Sequence, residues 1–435
     1  METLELAPII MMLLVIFVVA RVFSAIVERF GFPGLIGEIV AGIVIANLAL
    51  NGDTLLDFLG IVMENPSKGV VGNDLYSILY TFSEIGVIFL LFSVGLETRV
   101  KDLLGSGKTA MLVATLGVIV PFILGFTFIE LSEGNFRHAM FLGAAMVATS
   151  VGITARVIKD MHLMDKKESR IIISAAVIDD VLGMVVLAIV KGMAGSEGGI
   201  DALGLIIIIL EAVVFVIGMI MVAKYLVPRI VEAWARSNAG REVPRKAPNA
   251  LPLALVACFF FAWLAEEIGL AAIIGSFLGG MLFAEYAEES GLSRKFDAIT
   301  TLFISYFFVM VGLKVDASAL GSSKVLFDIV IVLILAVISK YIGCGLGAKI
   351  GDKTLGRDSI NIVGVGMIPR GEVGIIVASI GLSMIVDNEP ALSAELYSVI
   401  VVMAVASTII APPLLSRAFK KKYSASSEEE QVILE

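Results

Sequence analysis

Apolar residues in this chain come in blocks of roughly 18–25, separated by short stretches that hold most of the charge. A helix rises about 1.5 Å per residue, so each block can cross the roughly 30 Å hydrocarbon core of a bilayer. Thirteen helical spans are predicted, at residues 6–24, 33–50, 75–96, 109–130, 137–156, 170–190, 203–223, 249–265, 269–284, 299–313, 325–348, 359–386 and 395–416. The eighth and ninth are short and lie close together. The pattern reads as an all-α polytopic membrane protein, a single transmembrane domain over 1–435 whose polar tail, 423–435, is expected to be disordered.

The placement of Lys and Arg tests this reading independently, because cytoplasmic loops carry the excess of basic residues. With the N-terminus outside, the segments facing the cytoplasm hold 25 of the 32 basic residues and the outside segments hold 5. The other two, Lys340 and Arg370, fall inside spans. The expected topology in the cell (plasma or inner) membrane is therefore N-terminus outside, C-terminus cytoplasmic. The acidic opening, Met1-Glu2-Thr3-Leu4-Glu5, has no small-residue cleavage site after it, so no cleaved leader is expected.

Residues 201–248 combine the seventh span with the longest and most basic interior loop. They separate six spans, in 1–200, from six more, in 249–422. A single linker span sets the two sixes in opposite orientations, the plan of an inverted-repeat transporter. A faint echo agrees: Gly143-Ala144-Ala145-Met146-Val147-Ala148-Thr149-Ser150 in the fifth span and Gly364-Val365-Gly366-Met367-Ile368-Pro369-Arg370-Gly371 in the twelfth hold corresponding places.

Composition narrows the function. With 58% hydrophobic and 17% charged residues the chain is not a soluble globular domain, and a net charge of −9 argues against nucleic acid as a partner. Cys258, Cys344, His138 and His162 form neither a metal-ligand cluster nor a disulfide framework, so neither a cofactor nor enzyme chemistry is expected.

Ionisable residues inside apolar spans are where chemistry is to be sought, since each costs roughly 2.5–3.5 kcal/mol to insert and survives where it serves something. Asp179 and Asp180 stand near the middle of the sixth span. Consecutive helical residues point about 100° apart, so one carboxylate can face a central cavity and its neighbour another helix or the cavity wall. Two adjacent, desolvated acids raise each other's proton affinity, which lets a carboxyl exchange a proton for a hard monovalent cation. The alternative is a pair that caps a re-entrant loop or binds basic residues statically.

Lys340, on the eleventh span, can reach the same depth and pair with Asp179; otherwise it snorkels to the interface near Lys349. Thr149 and Ser150, in the fifth span, offer hydroxyl oxygens to a Na+-sized ion beside the aspartates, unless intrahelical bonds use them. The twelfth span carries Pro369, Arg370, Gly371 and Glu372, where proline and glycine break a helix and an opposed charge pair sits in the membrane. Arg370 reads as a strut for inward-facing carboxylates or a helix C-terminus. Glu38 and Glu84 are expected either to partner Arg370 or to line an access funnel.

Together these stretches resemble the cation:proton antiporter superfamily, most closely its electrogenic Na+/H+ antiporter branch with paired aspartates. The resemblance rests on Gly37-Glu38-Ile39-Val40-Ala41-Gly42, Gly95-Leu96-Glu97, Ala148-Thr149-Ser150-Val151-Gly152-Ile153-Thr154-Ala155, Asp179-Asp180, Ser339-Lys340-Tyr341-Ile342-Gly343 and Pro369-Arg370-Gly371-Glu372-Val373-Gly374. It implies a homodimer in which a core of spans four to six and eleven to thirteen, with two broken helices crossing in it, moves like an elevator against a dimerisation unit. It implies Asp180 as the main cation ligand and Asp179 as the partner of Lys340. The function so implied is electrogenic exchange of Na+ for H+ by alternating access, the two competing for Asp179 and Asp180, with Li+ and K+ left open as cargo. A K+/H+ antiporter and a cation channel on the same scaffold are the alternatives; a channel would pass current without obligatory proton counterflow.

Overall fold

The computed structural model describes residues 6–50, 53–63, 72–98, 100–195, 218, 251–267, 271–287, 291–315, 322–386 and 389–434. The linker span expected at 203–223 (Gly218 aside) and the basic loop at 224–248 lie outside them. Fourteen helices position the site: α1 (Leu6–Arg29), α2 (Gly34–Asn47), α3 (Asp74–Leu96), α4 (Val100–Ser132), α5 (Phe136–Ala145), α6 (Val151–Asp160), α7 (Lys167–Gly195), α8 (Leu251–Glu267), α9 (Ala272–Met281), α10 (Leu292–Leu313), α11 (Ser323–Gly351), α12 (Arg357–Gly366), α13 (Glu372–Ser383) and α14 (Ala394–Leu434). Antiparallel pairs of two-residue strands, Ala49–Leu50 with Asp53–Thr54 and Ile385–Val386 with Glu389–Pro390, are the only sheets among the described residues.

The helices are built for oil. On α1, Met12, Ile16, Ala20 and Ser24 form the buried stripe at four-residue spacing, while Leu6, Ile10, Leu14, Val18, Val22 and Ile26 form an exposed one. A water-facing helix would place polar residues on that second stripe; an apolar outer face fits hydrocarbon.

Packing sorts the helices into two bodies. In the first, α3 lies along α9 and α10, and α2 packs between α1 and α10. The second gathers α4–α7 with α11–α14, α4 running against α11 and α7. Glycine contacts draw the helices of the first body together. A Cβ on Gly42 of α2 would stand 2.1 Å from Val309 O, and one on Gly312 of α10 2.1 Å from Ile39 O. Gly95 of α3 and Gly280 of α9 repeat the arrangement, 2.2 Å from Phe277 O and 2.2 Å from Phe92 O. Only glycine allows so close an approach of two backbones.

The two contacts are counterparts. Gly37 to Gly42 aligns with Gly275 to Gly280, and Val94-Gly95-Leu96-Glu97 with Val311-Gly312-Leu313-Lys314. The halves of the chain therefore make one contact twice, with the helices exchanged.

The fifth and twelfth spans are each split, α5 from α6 at 146–150 and α12 from α13 at 367–371. These breaks fall at matching places in the echo between 143–150 and 364–371. At the chain's end the structure departs from expectation. α14 continues to Leu434, through the tail expected to be disordered. Extension of an existing helix needs no nucleation, and Glu428, Glu429, Glu430 and Gln431 are good helix formers.

Candidate functional site

α7 stays helical through Asp179 and Asp180, and both carboxylates are buried. Lys340 Nζ donates to Asp179 Oδ1 at 2.7 Å, and neither side chain has any exposed surface. The lysine does not snorkel. It lies on α11 opposite Gly117 of α4, where a Cβ would sit 3.4 Å from Nζ and 3.8 Å from Asp179 Oδ1. A lone charge here would be very costly, and the pair offsets that cost for one carboxylate oxygen. Asp179 Oδ2 is buried with no hydrogen-bond partner.

The two breaks meet. The Ser150 N–H donates to Pro369 O at 2.8 Å, and Thr154 Oγ1 donates to Gly366 O at 2.7 Å. Gly371 is required at this crossing, since a Cβ there would stand 2.7 Å from Ser150 Oγ. Arg370 is fully buried and spans the gap. Its Nη1 donates to Val147 O and Ala148 O, each at 3.1 Å, and its Nη2 to Ala336 O at 3.0 Å. Val147 O and Ala148 O are carbonyls that the interrupted helix leaves without partners, while Ala336 O lies inside the continuous α11. Of the two strut readings, the helix C-terminus holds: the side chain's three hydrogen bonds go to main-chain carbonyls, with Asp179 in electrostatic reach. The Arg370 N–H donates to Ser407 Oγ at 3.0 Å, which fixes the second break to α14.

Gly183, one turn beyond the aspartates, seats α7 on the first break, its Cβ position 4.0 Å from Val147 Cγ1. Thr149 Oγ1 and Ser150 Oγ at that break are buried with no hydrogen-bond partner, so intrahelical bonding does not use them. Unpartnered buried oxygens are rare because each forfeits its hydration, and a group of them marks room for a ligand. Glu372 opens α13, and its side chain lies outside the described residues.

Glu38 belongs elsewhere. On α2, in the first body, it accepts from Ser305 Oγ at 2.8 Å and Arg21 Nη1 at 3.3 Å, so its basic partner is Arg21 rather than Arg370. Glu84 is half-buried on α3. A cleft of about 580 Å³ between the bodies is lined by Tyr76, Tyr80, Thr81, Ile376, Ser379 and Tyr397 among others, and neither acid is among them.

Sequence reasoning missed Gly117 and Ser407. Ser407-Thr408 in an apolar span was the available signal for the second; nothing short of the fold marks the first.

A family model for the transmembrane sodium/hydrogen exchanger matches residues 13–421. The chain is 32% identical over 439 residues to the high-affinity Na+/H+ antiporter NhaS3 of Synechocystis sp., covering 96% of this chain and 91% of that one. It is 31% identical over 395 residues to the Na+/H+-K+ antiporter GerN of Bacillus cereus, covering 90% and 91%. In fold it is similar to the sodium proton antiporter MjNhaP1 of Methanocaldococcus jannaschii, with a TM-score of 0.63 over 96% of this chain and 98% of that one, at 17% identity.

Proposed function

The chain belongs to the sodium/hydrogen exchanger family, and on that premise we propose that it is a secondary antiporter exchanging Na+ for protons at Asp179 and Asp180. One observation carries the site assignment: buried aspartates on an unbroken helix stand against two crossed breaks that hold buried hydroxyls with no partner. Unwound backbone and carboxylates are the ligand set that transporters use for a dehydrated alkali cation.

Asp180, with the Thr149 and Ser150 hydroxyls, holds Na+. Asp179 is neutralised by Lys340 until the cation or a proton takes its place. A carboxylate oxygen that carries a proton is no longer free to ligate a cation, so protons compete with Na+ for the same oxygens. If two protons leave for each Na+ that enters, the cycle moves net charge, and the membrane potential contributes about 2.3 kcal/mol per charge per 100 mV. Arg370 keeps the breaks open without filling them.

Transport is by alternating access. The second body carries the site and slides like an elevator against the first, which is the fixed frame of a homodimer. The Lys and Arg distribution favours an external N-terminus and a cytoplasmic C-terminus. K+ is the second cargo to test, because the relative GerN is named a Na+/H+-K+ antiporter.

Purified protein in liposomes with an internal pH dye tests this directly. Na+ pulses are expected to drive proton movement, and Asp180→Asn to abolish it. Full activity in Asp180→Asn overturns the assignment.

A further inference from the structure

Lys159 lies outside the cation site, yet every proton of its ammonium is used. It donates to Glu97 Oε1 at 2.5 Å and Ser93 Oγ at 2.8 Å, and pairs with Asp297 Oδ1 at 2.9 Å, while Ser93 itself donates to Asp297 Oδ1 at 2.9 Å. Lys159 stands on α6, in the second body; Ser93 and Glu97 at the end of α3 and Asp297 on α10 belong to the first. Arg156, nearly one turn earlier on α6, pairs with Asp160 and lies within electrostatic reach of buried Glu38 on α2. The two bodies are thus bridged by ion pairs on the face that carries Lys166, Lys167, Lys349 and Lys421, beside a cleft of about 550 Å³ that Leu96, Glu97 and Asp297 share with His162, Met164 and Asp165.

A second cleft lies between the same bodies on the opposite face. The 580 Å³ cleft separates Tyr76, Tyr80 and Thr81 of α3 from Ile376, Ser379 and Ile380 of α13, with Lys314 at the end of α10.

The internal repeat shows how the residues at corresponding places on the two faces differ. The alignment that matches Ser150 with Gly371 matches Lys159 with Ile380, and the one that matches Gly95 with Gly312 matches Glu97 with Lys314. A lysine and a glutamate clasp one face; their counterparts, an isoleucine and a lysine, cannot form an ion pair with each other. An inverted repeat with identical halves would weight its two open states equally, and this substitution removes the equality.

We propose that the Lys159–Glu97–Asp297–Ser93 clasp locks the two bodies on the basic face and so sets the balance between the conformers open to either side. The proposal rests on the alternating-access reading above. The ion pairs are partly exposed, with side chains 13% exposed at Lys159, 31% at Glu97 and 45% at Asp297. Two such pairs shift a conformational balance by roughly two- to tenfold, which biases the cycle without stopping it.

The test reads the balance directly. Ile376→Cys places a thiol in the open cleft, against a background in which Cys258 and Cys344 are both buried. In full-length protein reconstituted in liposomes, a membrane-impermeant maleimide applied to that face is expected to label Ile376→Cys at a rate that responds to Na+. Adding Lys159→Gln is expected to slow labelling roughly two- to tenfold and to weaken the apparent Na+ affinity on that face by the same factor. Glu97→Gln with Asp297→Asn should do likewise, and carries the test if Lys159→Gln fails to fold. Ile380→Glu, which sets a carboxylate across the cleft from Lys314, should also slow labelling. A Na+-responsive rate left unchanged by these variants overturns the clasp and leaves alternating access standing. A rate unresponsive to Na+ and pH in every variant overturns alternating access, and the clasp with it.

Discussion

Gly117→Ala is the smallest change that reaches the Lys340–Asp179 pair without touching either charge. The added Cβ would stand 2.6 Å from Cys344 Sγ, 3.4 Å from Lys340 Nζ and 3.8 Å from Asp179 Oδ1. Carbon and sulfur sit comfortably at about 3.5–4 Å, so something must move by roughly 1 Å. The helices cannot supply the movement. α11 already rests on the α4 backbone, with Cβ positions at Gly343 and Gly347 each 2.5 Å from Leu116 O and Leu112 O. The strain therefore falls on Cys344 and on the lysine one turn away. Overpacking of this kind costs about 1–3 kcal/mol, and the better helix propensity of alanine returns about 1 kcal/mol at most. The expected outcome is a modest loss of thermal stability in detergent together with a shifted pH profile of Na+-driven proton movement. Cys344→Ala removes the sulfur and is expected to restore both when combined with Gly117→Ala. A single variant that matches wild type, or a double variant as damaged as the single, would refute the reasoning.

Lys340→Gln is expected to keep Na+-driven exchange but to lose its dependence on membrane potential, read by clamping the liposome voltage with a K+ gradient and ionophore. Arg370→Lys retains a charge but not the planar fork that reaches Val147 O, Ala148 O and Ala336 O, so stability should fall by about 2–5 kcal/mol in thermal denaturation. Glu168, just ahead of the sixth span, is raised by burial but held lower by hydrogen bonds from Lys422, Ser359 and Tyr423, which leave it at about 2. A depressed carboxyl contributes stability above its unfolded pKa and loses it as pH falls towards the folded one. Glu168→Gln should therefore be less stable than wild type at pH 7 by about 1–3 kcal/mol. The difference should shrink below about pH 4.5 and vanish near pH 2 in melting curves taken across that range.

The all-helical membrane architecture could be read from hydropathy because lipid imposes a length rule on every helix that crosses it. The broken spans were legible from Pro369 and from the echo around Ser150, since backbone that leaves a helix inside a membrane must find partners or line a cavity. The partners themselves were not legible. Whether Arg370 reaches a carboxylate or a carbonyl depends on where the end of α5 stops, a tertiary fact. The pairing of Glu38 with Arg21 depends on which body α2 joins. Lys159 entered only as one more charge on the basic face, although the alignment of Glu97 with Lys314 and of Lys159 with Ile380 was present in the residues. The length of α14 went unread because a polar tail looks disordered until it is seen to continue a helix.

The central claim is that Na+ and protons are rivals for one buried pair of carboxylates. The apparent KM for Na+, measured in proteoliposomes across a pH series, tests it most directly. Competition predicts that KM rises as pH falls, by about tenfold per pH unit for each proton displaced once the site is protonated, while the maximal rate at saturating Na+ holds nearly constant. A KM that stays flat while only the maximal rate changes with pH would place the proton elsewhere, and would contradict the claim.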